Sequence, residues 1–224
     1  KNVQMFHVPV LLCRRSGPPM YYSVFKRVVD ILASLLLLII FSPFMLGAAI
    51  AIKRHDGGSV FYKQERYTRN GKVFKMIKFR SMVPDAEVDG VARLASEGDS
   101  RITPVGAIIR KTRIDELPQL FNILWGDMSI VGPRPERPEI AAQYRQTLPE
   151  FDLRLQVKAG LTGYAQVHGK YNTDPYDKLQ MDLLYIANQS VVEDLKLILY
   201  TLKILFMPES TEGIEAGQTT AMTQ

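Results

Sequence analysis

Cysteine is nearly missing from this sequence: Cys13 is the single example in 224 residues. One thiol excludes an internal disulfide framework and suits a reducing compartment. Histidine is also scarce, at three residues, so a structural zinc site lacks the ligands it needs. No basic block interleaved with aromatics occurs, which argues against nucleic acid as a partner. No internal repeat occurs either. The charge surplus is small, 28 Lys and Arg against 23 Asp and Glu, formally +5. Such a surplus suits anions such as phospholipid or nucleotide without choosing among them. The length is enough for one domain with a real core.

Charge is absent altogether from Ile31 to Ile52. As a helix that run would cover roughly 33 Å, about one hydrocarbon core. Its late start and length, with no small-residue cleavage site, argue against a signal peptide. Pro43 has no N–H, so the carbonyl of Ile39 loses its helical partner, and the Ser42 hydroxyl is placed to replace it. The proline divides the run into arms of about eleven and nine residues, each half a bilayer long. Lys26 and Arg27 precede the run and Lys53 and Arg54 follow it. Basic residues mark the cytoplasmic side, and here both ends are marked. A Pro-kinked spanning helix and a hairpin that enters and returns both fit these facts.

Elsewhere the pattern is that of a soluble α+β chain, mainly helical with a small β-hairpin. Residues 59–82 alternate like strands around the turn "RNGK". The stretch "PDAEVDGVARLASEGDSRITP" reads as a mobile surface segment. Helices are expected at "VGAIIRKTR", at "LPQLFNILWG" with Gly126 as its stop, and at "PEIAAQYRQTLPEFDLRLQV" with a break at Pro149. "GLTGYAQVHGKY" has strand and turn residues, and "PYDKLQMDLLYIANQ" is an amphipathic helix. Val191 to Met207 is apolar but carries Lys196 and Lys203 on one face, which suits a helix in the headgroup plane or a plain core helix. The polar tail after Pro208 is expected to be disordered.

Three stretches carry chemistry. In "RIDELPQL", Asp115 and Glu116 are adjacent, so on a helix they point about 100° apart. That suits divided labour, one acid attacking or accepting a proton while the other holds a hard cation. Pro118 belongs in a helix's first turn, which places the acids at the positive end of a helix beginning near Asp115. A capping Asp followed by a first-turn Glu is the simpler explanation of this stretch taken alone. In "GPRPE", Pro133 and Pro135 stiffen the chain around Arg134 and would present one guanidinium to a phosphate or carboxylate, or simply form a rigid surface turn. "KFRSM" adds Lys78 and Arg80 on one face of a strand, as ligands or as a solvated face. Arg110, Lys111 and Arg113 stand just upstream of the acids. Acids, separated cations and membrane attachment together suggest chemistry on a diphosphate at a lipid surface.

"KRVVD", the Ser-Pro pair, "FYKQER", "FKMIKFRSM", "RKTRIDELPQLFNILWGDMSIVGPRP" and "GLTGYAQVHGK" occur in unbroken order from Tyr22 to Met207. In this the chain resembles the bacterial sugar transferases, monotopic polyprenyl-phosphate phosphoglycosyl transferases that start glycan assembly. The resemblance implies that Asp115 is a nucleophile on the β-phosphorus of a UDP-sugar, releasing UMP, and that undecaprenyl phosphate then takes the sugar phosphate in a ping-pong cycle. It implies that Glu116 is associated with Mg²⁺, that Arg134 between Pro133 and Pro135 contacts phosphate, and that Lys78, Arg80 and Arg110 belong to the basic surface of the site. It makes Ser42 and Pro43 the break of a re-entrant helix-break-helix on the cytoplasmic face of the bacterial inner membrane. The implied plan is an N-terminal extension or linker over 1–21, a membrane hairpin over 22–54, a catalytic domain over 55–207 and a flexible tail over 208–224.

Longer members carry an upstream domain, of which a chain starting at Lys1 would be the catalytic end. The pathway would be capsule, exopolysaccharide or O-antigen assembly, with downstream glycosyltransferases and a second copy of the chain as further partners. The donor's sugar stays open among glucose, galactose and N-acetylated hexosamines. A catalytically silent membrane scaffold and a nucleotide-sugar hydrolase are the rival readings. Where many members read "KPGITGWAQVNGRN", this chain has Ala159, Tyr164, His168 and Tyr171 in place of Pro, Trp, Asn and Asn, changes expected to bear on the sugar.

Overall fold

Pro43 does not end the helix it sits in. In the computed structural model, α1 runs without interruption from Met20 to Asp56, 37 residues. The Ser42 hydroxyl donates to the Ile39 carbonyl at 2.8 Å, the very group that the proline leaves without a donor. The expected helix-break-helix is therefore corrected to one continuous element, since the lost backbone bond is replaced locally. The helix stops at Gly57, whose φ of 71° is left-handed and whose N–H reaches the Lys53 carbonyl at 3.0 Å. The structure describes residues 18–84, 86, 99–169 and 173–205. Cys13, most of the 1–21 extension, most of the expected mobile segment, Tyr171 and the tail lie outside the described residues.

One face of α1 is held by the rest of the fold along most of its length. Near its start, Asp194 accepts from Lys26 at 2.6 Å, Tyr22 at 2.9 Å and Tyr185 at 2.8 Å. Arg27 donates to the carbonyls of Ile123 and Leu124 at 2.6 and 2.7 Å. The buried Asp30 carboxylate accepts the N–H of Ile130 at 3.0 Å. Leu37 and Leu38 lie against Phe74, Met76, Leu120 and Ile123, while beyond the proline Ala48 and Ile52 pack with Phe79 and Ile109. Both halves thus rest on the same folded body. The other face leaves Leu32, Leu36, Ile39, Phe44 and Leu46 exposed.

Strands β1 (Phe61–Tyr67) and β2 (Val73–Phe79) form the expected antiparallel hairpin, with Phe61 opposite Phe79 and Tyr67 opposite Val73. Its turn uses Asn70 and Gly71 at φ 60° and 72°. After α2 (Pro104–Lys111), capped by the Thr103 side chain, comes α3 (Gln119–Trp125), which ends at Gly126 with φ 92° as its composition indicated. Asn122 ties α3 to β2: its Oδ1 accepts from the Ile77 N–H and its Nδ2 donates to the Lys75 carbonyl, each at 3.0 Å.

A second sheet was not evident from the sequence. Strand β3 (Met128–Val131) pairs in parallel with β4 (Ala159–Thr162), the two being brought together across α4 (Pro138–Thr147) and the 3-10 segment Pro149–Gln156. Gly160 permits this approach, since a Cβ there would lie 2.1 Å from the Gly132 nitrogen. Helices α5 (Tyr164–His168), α6 (Pro175–Ala187) and α7 (Val191–Leu205) complete the chain. Ile140, Tyr144, Phe151, Leu179 and Leu183 form one core where α4 and α6 meet. Val131, Tyr185 and Leu197 form another beneath α7. The fold is mainly helical with two small two-stranded sheets.

Asn122 is 1% exposed, so truncation strands the buried Ile77 N–H and the partly buried Lys75 carbonyl. Asn122→Ala is expected to lower unfolding free energy by about 2–4 kcal/mol, read from denaturant unfolding in detergent; a loss under about 0.5 kcal/mol would count against this tie.

Candidate active site

The acids occupy a tight turn rather than the start of α3. Arg113, at φ 56° and ψ 13°, reverses the chain after α2. Ile114–Glu116 then forms a single 3-10 turn, and α3 begins only at Gln119. The N–H groups of Glu116 and Leu117 donate to the carbonyls of Arg113 and Ile114. The expected place of the acids at the positive end of a helix beginning near Asp115 is corrected accordingly: they lie on a separate turn that uses the Glu116 and Leu117 N–H groups internally.

The turn separates the fates of the two carboxylates. Glu116 Oε1 accepts from Lys78 Nζ at 3.1 Å and from Arg134 Nη2 at 3.3 Å. Those cations hold Glu116 well below the usual carboxylate range, although burial works against them. Asp115, 9% exposed, has no hydrogen bond or ion pair among the described residues. Burial first, and then the charge of Glu116, push it up to about 6 against the pull of Lys78, Arg110 and Arg113. The pair is thus one locked anion beside one unpaired acid that gains its charge close to neutral pH.

Arg134 is exposed between the buried prolines Pro133 and Pro135. Its loop is fixed through its carbonyls: Pro133 accepts from Gly160 N–H at 2.8 Å, Arg134 from Arg154 at 2.7 Å, Pro135 from Arg66 at 3.0 Å, and Glu136 from Tyr67 N–H at 3.0 Å. Lys78 arrives from β2, and burial lowers its pKa. Arg110, in the last turn of α2, meets Asp115 through charge alone.

Arg80 does not join this cluster. It lies past the end of β2, pairs with Asp56 at the foot of α1, and is so enclosed that a Cβ at Gly58 would sit 2.7 Å from its Nη1. Its place among the site's cations is corrected to a clasp on α1. Ser42 and Pro43 are in α1, as described. Arg66, Arg154 and Asp182 went unnoticed in the sequence because nothing local marks a guanidinium that will bind a distant carbonyl.

Three of the four departures also find places. Ala159 supplies an N–H that proline lacks and gives it to the Thr68 hydroxyl at 3.2 Å. Tyr164 and His168 lie tilted with ring centroids 4.7 Å apart, and His168 meets Tyr200 of α7 edge-on at 5.6 Å, so this ring cluster joins α5 to α7. Those contacts are structural and do not involve the acids.

No group of three or more His, Cys, Asp or Glu able to hold a metal stands among the described residues. Mg²⁺ commonly takes only one or two carboxylates and completes its shell with substrate phosphates and water. Glu116 Oε2, free of the two cations that share Oε1, and the unpaired Asp115 carboxylate fit that kind of site.

Residues 21–208 match the bacterial sugar transferase family along their whole length. The chain belongs to this family. A UDP-N-acetylgalactosamine-undecaprenyl-phosphate N-acetylgalactosaminephosphotransferase of Aeromonas hydrophila is 41% identical over 191 residues, 84% of this chain and 45% of that protein. A UDP-glucose:undecaprenyl-phosphate glucose-1-phosphate transferase of Klebsiella pneumoniae is 45% identical over 183 residues, 80% of this chain and 39% of its own. One of the same description from Caulobacter vibrioides is 39% identical over 208 residues, covering 89% of this chain and 78% of its own. This sugar transferase chain spans less than half the length of the first two relatives.

The position of the Asp115 proton affinity has a consequence for stability. A carboxyl raised from about 4 in the unfolded chain to about 6 in the fold opposes folding above pH 6, and that opposition fades as pH falls from 6 towards 4. Asp115→Asn is expected to stabilise the protein by about 1–3 kcal/mol at pH 8 and by little at pH 4. Thermal unfolding at the two pH values checks this; equal shifts at both would exclude it.

Proposed function

We propose that this sugar transferase moves a sugar 1-phosphate from a UDP-sugar to undecaprenyl phosphate through a covalent intermediate on Asp115. The observation that carries the reading is the unpaired, buried Asp115 carboxylate beside a Glu116 already neutralised by Lys78 and Arg134. The relatives' names supply the substrate class: those proteins use UDP-N-acetylgalactosamine or UDP-glucose with undecaprenyl phosphate.

Asp115 is kept close and available. A carboxylate bound by Arg would be a poor nucleophile, whereas Asp115 carries no such bond among the described residues. In the first step its oxygen bonds to the β-phosphorus of the donor while the bond from that phosphorus to the bridging oxygen breaks, and UMP leaves with the electron pair. In the second, a phosphate oxygen of the lipid bonds to the same phosphorus and the Asp115 carboxylate departs. Each step exchanges one energy-rich phosphoryl bond for another. Arg134 and Lys78 face both phosphoryl groups and reduce the repulsion between anions. Mg²⁺, held by the Glu116 carboxylate and substrate phosphates, would supply further charge neutralisation.

The lipid acceptor places the chemistry at a membrane. Helix α1 is long and apolar enough to cross one, yet both of its halves pack on one folded body, which a crossing would pull apart. That supports a continuous helix seated in one leaflet by its exposed apolar face, at the cytoplasmic surface of the bacterial inner membrane, without crossing it. Exposed Leu195, Leu199 and Leu202 of α7, beside exposed Lys196 and Lys203, suit the same interface. Polysaccharide assembly is the process this serves, with later glycosyltransferases as consumers of the product.

UMP release by the detergent- or lipid-held protein, across a panel of UDP-sugars and with or without undecaprenyl phosphate, tests the proposal. Sustained release that needs the lipid, initial-rate plots that are parallel in the two substrates, and loss of at least about a thousandfold in Asp115→Asn are expected. With its carboxyl titrating at about 6, first-step turnover should fall about tenfold per pH unit below that value. Release without lipid would make it a hydrolase, full release by Asp115→Asn would rule out Asp115 as the nucleophile, and no release from any donor would favour a scaffold.

A further inference from the structure

We propose that the buried Arg154–Asp182 pair is a positioning device for Arg134, setting where the phosphate-facing guanidinium stands relative to the two acids. The proposal rests on the reading of Arg134 as a ligand of the donor's diphosphate, and it concerns residues that touch neither substrate nor acid.

Arg154 lies in the 3-10 segment Pro149–Gln156 and is 4% exposed; Asp182 lies in α6 and is 1% exposed. The Nη2 of Arg154 is 2.7 Å from Asp182 Oδ2 and 2.7 Å from the Arg134 carbonyl oxygen. Only the second contact is aligned as a hydrogen bond, and neither Asp182 oxygen receives an aligned donor. A pair built only to join α6 to its neighbour would aim the guanidinium's N–H at the carboxylate, the arrangement in which Arg and carboxylate bind best. Here the N–H is aimed at the loop, and the carboxylate serves as the counter-charge that lets a guanidinium remain buried there. The ring of Phe151, 4.8 Å from the Arg154 guanidinium carbon, closes off another side.

The loop needs such a hold. Pro133 and Pro135 have no N–H, so its carbonyls are its main means of attachment. The carbonyl of Arg134 is the one nearest the side chain that must be aimed. A small rotation about that peptide moves a guanidinium at the end of a long side chain by far more. Substrate positioning is sensitive to displacements of about 1 Å.

The test is a double-mutant cycle with Arg134→Ala, read as kcat/KM for the UDP-sugar donor, together with amide hydrogen exchange. Arg154→Lys keeps a cation for Asp182 but withdraws the planar guanidinium N–H aimed at the Arg134 carbonyl. With its donor no longer reaching the Arg134 carbonyl as Nη2 does, it should cut kcat/KM about tenfold in the wild-type background and less than about twofold when Arg134 is already Ala. Exchange of the Arg134 and Glu136 amides should quicken while α3 stays protected as in the wild type. Should Arg154→Lys fail to fold, Arg154→Met combined with Asp182→Leu removes the donor without stranding a charge and is expected to behave alike. Equal losses in both backgrounds, or loop exchange unchanged from wild type, would overturn the proposal. If the wild-type protein releases no UMP from any donor, it is the transferase reading that fails, and loop exchange alone then decides whether the pair positions Arg134.

Discussion

One carboxylate oxygen, Oε1 of Glu116, joins three parts of the chain at a single point. Lys78 reaches it from β2, Arg134 from the proline loop, and Glu116 itself sits on the turn after α2. The ionised state of Glu116 depends on those cations, and the elevated proton affinity of Asp115 depends in turn on burial and on Glu116 being ionised. Position and electrostatics therefore come from the same contact. The site is assembled around a fixed negative charge, and the neighbouring acid acquires its properties from that charge and from its own burial.

Most of what surrounds this contact holds the backbone in place. Asn122 fixes α3 against β2, and Thr103 caps the helix leading into the acid turn. Two guanidiniums, of half-buried Arg66 and buried Arg154, donate to carbonyls of the proline loop. The long helix is integral to this body too, since Arg27 satisfies the carbonyls at the end of α3 and Arg80 grips Asp56. An apolar helix of this kind is as much a wall of the domain as an attachment to lipid.

The features that could be read in the sequence are those whose causes lie within a few residues. The hairpin at "RNGK", the stop at Gly126, the hydroxyl of Ser42 on the carbonyl freed by Pro43, and an exposed Arg134 between two prolines each follow from local chemistry. What escaped depends on distant partners. The parallel pairing of Met128 with Ala159 spans two helical segments, and no short motif announces it. Arg80 looks like Lys78 in the sequence, yet the strand ends before it and Asp56 stands where it emerges. The acids were expected on a helix because Pro118 marks a first turn, but a left-handed residue at 113 inserted a separate turn ahead of it.

That left-handed residue is an arginine, and only one other described residue besides glycine, Asn70, has a positive φ. Glycine would take the conformation without steric cost, whereas a side chain there carries about 1 kcal/mol of strain. Yet the charge of Arg113 acts on both acids, helping to keep Glu116 ionised and restraining the rise at Asp115. Backbone comfort and active-site potential are therefore opposed at a single position. A sequence change that relaxes this corner toward glycine removes a cation from the two groups on which the proposed chemistry depends, so the corner and the acids are bound to vary together.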